Sequence, residues 1–307
     1  MSDLYLHHYA SSPFSEKIRL LLGYLDLEWN SVETSIIMPR PLLMPLTGGY
    51  RRIPVAQIGA DVYCDTKRIA LALAEHAGDD TLFAPGFAAT RLAESADGVL
   101  FRIAVALSFR PEAVAGLLAE GGEFGGVSME AFAKDRAELT GGGDIAGIQP
   151  AEAESVLLHW LTELDASVPS GFLFGETPSI ADFSVYHPLW FLRNNPVNAP
   201  SVEAHPNVSA WMGRVEAFGH GRSAPSDGQA ALDHARSVAP RAVEGEVLGV
   251  AAEVGQTVRV TPTDYGRVPV DGVLLRADAQ SFVVQCESDE TGTIAVHFPR
   301  TGFALDA

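Results

Sequence analysis

The first 80 residues alternate short apolar runs with stretches in which apolar residues recur at helical spacing. Four of the runs are typical of strands: Leu4–His7, Glu28–Val32, Val55–Ile58 and Asp61–Tyr63. Gly59 and Ala60 separate the last two runs, which predicts a hairpin. The spacing of the remaining apolar residues predicts helices over Ser15–Leu25 and Thr66–His76. The elements therefore follow the order β-α-β and then β-β-α.

From residue 86 to residue 220 the apolar pattern is helical throughout. It predicts five helices: Ala88–Leu107, Ser128–Leu139, Ala151–Val168, Ile180–Leu192 and Asn207–Phe218. In the third of these, Leu157, Leu158, Leu161 and Leu164 form one apolar stripe. Because a helix buries such a stripe against other helices, we expect an all-helical domain in this part of the chain.

The composition and the apolar pattern of the sequence change twice after residue 220. Residues 221–242 are rich in Gly, Ser, Pro and Ala, which predicts a linker with a short helix near Gln229–Arg236. After it, five strand-like segments of period two are separated by turn residues: Glu246–Leu248, Thr257–Val260, Gly272–Leu275, Ser281–Val284 and Thr293–Val296. Their spacing predicts a small β-barrel or sandwich over residues 243–307. The chain is thus predicted to combine an α/β domain (1–80), an all-α domain (86–220) and an all-β domain.

The charge of the chain excludes some classes of partner. The 307 residues carry a formal net charge of −18 at pH 7, and this sign repels phosphate backbones and anionic membrane surfaces. We therefore expect neither nucleic acid nor a membrane as partner. Two cysteines, Cys64 and Cys286, imply no disulfide framework. The first residues show no leader pattern, and no apolar stretch approaches the ~20 residues that span a bilayer, so we expect a cytoplasmic protein.

Hydroxyl groups stand where the first predicted strand runs into the first predicted helix. Ser11 and Ser12 precede Pro13-Phe14, and Tyr9 lies shortly before them. At such a turn the unpaired N–H groups of the helix and the positive end of its dipole favour a thiolate or another small anion. The simpler interpretation is that Ser11 or Ser12 only caps the helix, because serine is a common N-cap residue.

Three segments carry a resemblance to a known family. In this order and spacing, Ser11–Arg19, Arg52–Val55 and Cys64–Thr66 resemble the glutathione-contacting segments of the glutathione transferase superfamily. The run from Ser179 to Asp182 also resembles the capping box that opens a buried helix in these proteins. The resemblance covers about residues 3–220. It implies a thioredoxin-like, glutathione-binding first domain, a helical second domain and a homodimer, with the C-terminal β segment as an addition.

The resemblance implies that a hydroxyl near the end of the first strand holds the thiolate of glutathione. Ser12 is the first candidate, Ser11 is its possible substitute, and Tyr9 competes because some classes use a tyrosine from this strand. A donated hydrogen bond and the helix N-terminus both lower the pKa of the thiol, and the thiolate is the nucleophile. Serine cannot form a mixed disulfide as a cysteine does, which favours conjugation, isomerisation or thiolysis over disulfide reduction.

The same resemblance assigns the other glutathione contacts. Ile53 precedes Pro54, a proline that is cis in relatives, and would pair its backbone with the cysteinyl part of glutathione. Asp65 and Thr66 would hold the γ-glutamyl end, the acid facing the amino group and the hydroxyl facing the carboxylate. Arg52 would bind near the glycyl carboxylate. Each of these residues also has a simpler interpretation. Pro54 would be an ordinary proline that opens an edge strand, Asp65 or Thr66 would only cap a helix, and Arg52 would be a solvated surface arginine.

The resemblance therefore implies a glutathione transferase that uses glutathione as its cofactor and a small-molecule electrophile as its substrate. The electrophile is expected between the first two domains, against loops of the first domain and helix residues such as Phe101, Val105 or Phe109. Two other functions stay open. One is a non-catalytic binding or regulatory protein of this fold, which the C-terminal β segment favours, and the other is a glutathione-dependent dehalogenase or isomerase.

Overall fold

The computed structural model describes residues 2–119, 126–168, 170–243 and 245–307. Its N-terminal part contains seven elements: β1 (Leu4–His8), α1 (Pro13–Tyr24), β2 (Glu28–Glu33), α2 (Met44–Thr47), β3 (Val55–Ile58), β4 (Asp61–Cys64) and α3 (Thr66–Ala77). The predicted strands and helices of this part are confirmed, and the short α2 is additional. β1 pairs in parallel with β2 and antiparallel with β3, and β3 and β4 form the predicted hairpin.

The middle of the chain is helical, as its apolar pattern predicts. Its helices are α4 (Phe87–Ser95), α5 (Phe101–Ser108), α6 (Pro111–Ala119), α7 (Met129–Thr140), α8 (Pro150–Ser167), α9 (Ile180–Arg193), α10 (Ala199–Glu203) and α11 (Pro206–Glu216). A π-helical turn over Ala96–Leu100 joins α4 to α5, so the predicted helix Ala88–Leu107 is confirmed as an uninterrupted stretch. The capping box that opens α9 is also confirmed. No helix within the four described ranges is long and apolar enough to cross a membrane.

The C-terminal part contains one further helix and six strands: β5 (Arg222–Ser226), α12 (Gly228–Ser237), β6 (Thr257–Pro262), β7 (Val270–Ala277), β8 (Ser281–Ser288), β9 (Gly292–Pro299) and β10 (Phe303–Asp306). Four of the five predicted strands are confirmed, whereas Glu246–Leu248 contributes only an isolated bridge between Val247 and Ala277. The segment predicted as a linker is structured, because β5 pairs with β2 and the predicted short helix forms as α12.

All of the named strands lie in one sheet, in the order β10-β6-β7-β8-β9-β4-β3-β1-β2-β5. The all-β C-terminal region is confirmed, and its strands extend the N-terminal sheet instead of closing into a separate barrel or sandwich. The junction is a parallel pairing of β4 with β9, in which Val62 lies opposite Val296. This pairing occupies backbone groups of β4 that would otherwise form an exposed sheet edge. The domain boundaries given above stay a prediction.

Both faces of the N-terminal sheet are buried, and they belong to different cores. Leu4 and Leu6 of β1 lie in a core that they share with α1, α3 and the helical part of the chain. Tyr5, between them, lies in a second core that includes residues of α12 and of the C-terminal strands. Because side chains alternate along a strand, Tyr5 points to the sheet face opposite to α1 and α3, where its ring centre lies 5.4 Å from that of His234 of α12.

Two buried histidines of β1 make stability depend on pH. Burial lowers the pKa of His7 to about 4, and burial together with the charge of Arg19 lowers that of His8 to about 4. Below the ordinary histidine pKa of 6.5, the unfolded chain takes up protons that the folded chain does not bind until about pH 4. Stability is therefore lost as the pH falls through this window. At about pH 5, we expect each histidine to lower the unfolding free energy by about 2 kcal/mol relative to its value at neutral pH.

Urea unfolding at about pH 7.5 and about pH 5 measures this loss. His7→Gln should reduce it, because the variant has no group at this position that titrates in the window. The matched substitution His159→Gln, at an exposed side chain on α8, should leave the loss unchanged. An equal loss in wild type and His7→Gln would show that buried His7 does not cause the pH dependence.

Candidate functional site

Two adjoining cavities lie where the N-terminal strands meet the helical part of the chain. The first is a partly open cavity of about 270 Å³, counting space open to solvent, and is lined by Phe14, Tyr50, Arg52, Ile53, Pro54, Asp65, Thr66 and Tyr265. The second, also partly open, measures about 540 Å³ in the same way, and its lining includes Tyr9 and Ser12. Phe14, Arg52, Ile53 and Tyr265 line both, so the two cavities are continuous at these residues. Every residue predicted to contact glutathione except Ser11 lines one of the cavities.

Ser12 both caps α1 and lines the second cavity. It is the N-cap of α1, and its Oγ accepts a hydrogen bond from the backbone N–H of Ser15 at 3.1 Å. Its side chain is buried and faces the second cavity. Tyr9 lines the same cavity, whereas Ser11 is exposed and lines neither. Since the Ser12 hydroxyl accepts from Ser15, its own proton remains available to a group in the cavity.

Ile53 and Pro54 form part of the wall of the two cavities. The peptide bond between them is cis, as the resemblance predicts. Ile53 lines both cavities, and Pro54 lines the first. Ile53 therefore borders both the cavity lined by Ser12 and the cavity lined by Asp65.

Asp65 and Thr66 lie at the start of α3. The Asp65 carboxylate caps the helix by accepting the N–H of Lys67 at 3.0 Å, and the Thr66 hydroxyl accepts from Nζ of Lys17 at 3.4 Å. The backbone of Asp65 has φ = +71° and ψ = 138°, which non-glycine residues rarely adopt. Strain of this kind concentrates at binding and catalytic sites, and here it directs an acidic residue toward the cavity.

Arg52 is engaged by a loop of the C-terminal strands. It donates hydrogen bonds to the Asp264 carboxylate and the Tyr265 carbonyl, and its guanidinium lies 4.0 Å from the centre of the Tyr265 ring. The same loop is held to the helical part, because the N–H of Gly266 donates to the carbonyl of Leu139 at 2.7 Å. Burial raises the pKa of Tyr265 to about 12, so its hydroxyl stays protonated at neutral pH. The loop between β6 and β7 thus forms a wall of both cavities.

Three further arginines line the second cavity, and the motifs in the sequence do not indicate them as a group. Arg40 is buried and donates to the carbonyl oxygens of Ser35 at 2.7 Å and Ile36 at 2.9 Å, and to that of Arg51. Burial lowers the pKa of Arg40 to about 10, which leaves it charged at neutral pH. Arg51 pairs with Asp135 of α7 at 2.7 Å.

Arg136, the fourth arginine of the cavity, follows Asp135 on α7. Its guanidinium lies 3.2 Å from the other carboxylate oxygen of Asp135 and donates to the carbonyl oxygen of Ile36. The cavity is therefore strongly basic on the side where α7 meets the N-terminal loops.

The apolar part of the second cavity differs from the predicted set. Phe101 lines it as expected, together with Leu139 and Ile145. Val105 is buried in the first core, and Phe109 packs against Phe132, with ring centres 5.6 Å apart. Neither lines the described cavities: Val105 lies one helical turn beyond Phe101, and Phe109 follows the last residue of α5. Leu139 and Ile145 come from α7 and the loop after it, which have no motif that places them there.

Comparison with known proteins agrees with this fold. Residues 6–81 match the family profile of the glutathione S-transferase N-terminal domain, and residues 128–214 match that of the C-terminal domain. No curated protein sequence gives a match.

Among solved structures, a GST-like protein from Pseudomonas syringae is 35% identical with a TM-score of 0.82, over 100% of this chain and 99% of its own. Poplar glutathione transferase F1 is 14% identical with a TM-score of 0.49, over 70% of this chain and 93% of its own. A glutathione S-transferase from Rhodospirillum rubrum F11 is 16% identical with a TM-score of 0.48, over 69% of this chain and 87% of its own. The full-length match and the two domain profiles together show that the chain belongs to the glutathione S-transferase superfamily.

Proposed function

We propose that the protein is a glutathione transferase that binds glutathione across the two cavities and activates its thiolate for attack on a small electrophile. The observation that supports this is the convergence of Ser12, Ile53, Asp65 and Thr66, from three separate segments, on adjoining cavities. The family suggests in addition a cytoplasmic homodimer, which we include in the proposal.

In the proposed complex, the thiol of glutathione lies beside Ser12. The Ser12 hydroxyl donates its proton as a hydrogen bond to the thiolate, and the N-terminus of α1 adds a favourable electrostatic interaction. Both stabilise the anion, so the thiol loses its proton to solvent at a lower pH than in free glutathione. The thiolate then forms a bond to the electrophilic carbon, and the leaving group departs with its electron pair. Tyr9 is the second candidate for the hydroxyl donor.

The remainder of glutathione is assigned to the first cavity. The γ-glutamyl ammonium would face the carboxylate of Asp65, and its carboxylate would face the hydroxyl and N–H of Thr66. The cysteinyl backbone would pair with Ile53. The glycyl carboxylate would approach Arg52, whose guanidinium is already shared with Asp264.

Calorimetric titration with glutathione tests the binding part of the proposal. We expect saturable binding to wild type and a loss of at least about tenfold in affinity for Asp65→Ala, because the γ-glutamyl ammonium loses a charged partner. Asp80→Ala, at an exposed position after α3, is the matched control and should bind as wild type does. No saturable binding to wild type at millimolar glutathione would overturn the proposal.

Rate measurements on a panel of electrophiles test the catalytic part. Ser12→Ala should lower the conjugation rate by about 10²-fold, the usual cost of removing one donor to an anion in a catalytic site. Ser12→Asp is a useful comparison, because it keeps an N-cap side chain but cannot donate at neutral pH. A rate loss in Ser11→Ala or Tyr9→Phe instead would move the role to that hydroxyl. Glutathione binding without turnover of any electrophile would favour the non-catalytic alternative, and product analysis separates conjugation from dehalogenation or isomerisation.

A further inference from the structure

The second cavity is positively charged in a chain whose formal net charge is −18. Four arginines line it, namely Arg40, Arg51, Arg52 and Arg136, against the single carboxylate of Asp135. Guanidinium groups are costly to bury without anionic partners. An arginine of this cavity whose charge is not fully matched by carboxylate or carbonyl groups of the protein is therefore a candidate to bind an anionic ligand.

Two of the four arginines are committed to the protein. Arg40 donates to three backbone carbonyl oxygens and thereby holds the loop that precedes β3. Arg52 pairs with Asp264 and with the carbonyl of Tyr265. These contacts explain the presence of both side chains without any ligand.

Arg51 and Arg136 have no carboxylate of their own, although Arg136 also donates to the carbonyl oxygen of Ile36. They share one carboxylate, since Asp135 lies 2.7 Å from Arg51 and 3.2 Å from Arg136. Asp135 also accepts the backbone N–H of Met38 at 2.9 Å on the oxygen that Arg51 contacts. The Nε atoms of both arginines, like that of Arg52, are buried and have no hydrogen-bond partner among the described residues. Two guanidiniums against one carboxylate leave one positive charge in excess at this wall of the cavity.

The rest of the second cavity is suited to the body of an acceptor molecule. Phe101, Leu139 and Ile145 provide apolar surface, and Ser12 places the proposed thiolate site in the same cavity. Arg51 and Arg136 do not line the first cavity, which holds the groups assigned to the γ-glutamyl and cysteinyl parts of glutathione. The excess charge therefore lies on the acceptor side.

We propose, on the basis of the proposed function, that the acceptor is an aromatic or otherwise apolar electrophile carrying a carboxylate, which Arg51 and Arg136 bind. The thiolate of glutathione forms a C–S bond at the electrophilic carbon, the bond to the leaving group breaks, and a halide departs with the electron pair. The proton of the thiol goes to solvent. The two arginines offset the repulsion between the anionic acceptor and the thiolate, which would otherwise oppose their approach.

Three ligands test this assignment by calorimetry without requiring turnover. They are glutathione, S-(4-carboxy-2,6-dinitrophenyl)glutathione (the acid) and the same conjugate with only its ring carboxylate converted to a methyl ester (the ester). The two conjugates share the whole glutathione part and the ring, and they differ in one negative charge. We expect wild type to bind the acid about tenfold more tightly than the ester, as a charge-assisted hydrogen bond in a partly buried site would give.

The variants locate the effect. Arg136→Gln should remove most of the preference for the acid while leaving the affinities for the ester and for glutathione within about twofold, and Arg136→Lys should restore part of the preference. Arg51→Gln should act in the same direction. Arg91→Gln, at an exposed arginine of α4 that pairs with Glu94, is the matched control and should keep the wild-type preference.

The possible failures are distinguishable. Equal affinity of wild type for acid and ester, with normal glutathione binding, overturns this inference and leaves the proposed function intact. A loss of affinity for all three ligands in Arg136→Gln assigns the arginine to the glycyl carboxylate of glutathione and also overturns it. Failure of wild type to bind glutathione overturns the proposed function and this inference with it.

Discussion

Removal of residues 243–307 is expected to leave a chain that no longer folds into a stable, soluble protein. The deletion exposes the edge of β4 and apolar side chains of the second core that pack against the C-terminal strands, such as Tyr50, whose ring centre lies 5.9 Å from that of Phe298. Each large apolar side chain returned to water costs about 1.5–3 kcal/mol. A few such side chains equal the whole stability of a typical domain, about 5–15 kcal/mol. Soluble yield, circular dichroism and thermal unfolding of residues 1–242 against the full chain provide the measurement.

A pair of point variants tests the same dependence in the full chain. Val296→Asp places a carboxylate in β9 opposite Val62, where the side chain is 0% exposed, and should cost more than about 4 kcal/mol. Val254→Asp makes the same change at a valine that is 51% exposed and should cost less than about 0.5 kcal/mol. A truncated chain that folds with the thermal midpoint of the full protein would instead support an independent N-terminal domain.

The elements of this fold could be predicted from the sequence, but the pairing that joins its two ends could not. The alternation in β1 and β4 and the helical spacing in the middle are local patterns, which a short window of sequence contains. The β4–β9 junction depends on contacts such as that of Asp61 with His297 at 2.8 Å, between residues separated by 236 positions. β5 illustrates the opposite limit: its sequence Arg-Ser-Ala-Pro-Ser shows no apolar alternation and becomes a strand by pairing with the edge of β2.

In the candidate site, too, the residues in local motifs could be predicted from the sequence and the residues brought in by the tertiary fold could not. Ser12, Pro54 and Asp65 lie in turns and at helix starts, which can be predicted from the residues next to them in the sequence. Tyr265 and Arg136 reach the cavities from the β6–β7 loop and from α7, and only the tertiary fold brings them to Ser12. The positive φ of Asp65 was likewise not predictable, because the preference of aspartate for that backbone conformation is too weak to predict it from the sequence.

The carboxylate of Asp182 organises the helical part of the chain from a fully buried position. One of its oxygens accepts the N–H and the hydroxyl of Ser179, at 2.8 and 3.0 Å. The other accepts the N–H of Leu173 at 2.8 Å and the indole N–H of Trp211 at 2.9 Å. The residue thus ties the start of α9 to the preceding loop and to α11.

Asp182→Ala is expected to lower the unfolding free energy by about 4 kcal/mol or more, because four donors, three of them buried and that of Leu173 part-buried, lose their acceptor together and each buried donor costs about 1–3 kcal/mol when unpaired. Asp165→Ala is the matched control in the same domain. Asp165 also accepts two helix N–H groups, those of Asn207 and Val208, but water can reach them, so this loss should be about 1 kcal/mol. Urea unfolding of both variants at neutral pH measures the difference. Equal losses would mean that burial of the Asp182 network adds nothing to an ordinary N-terminal cap.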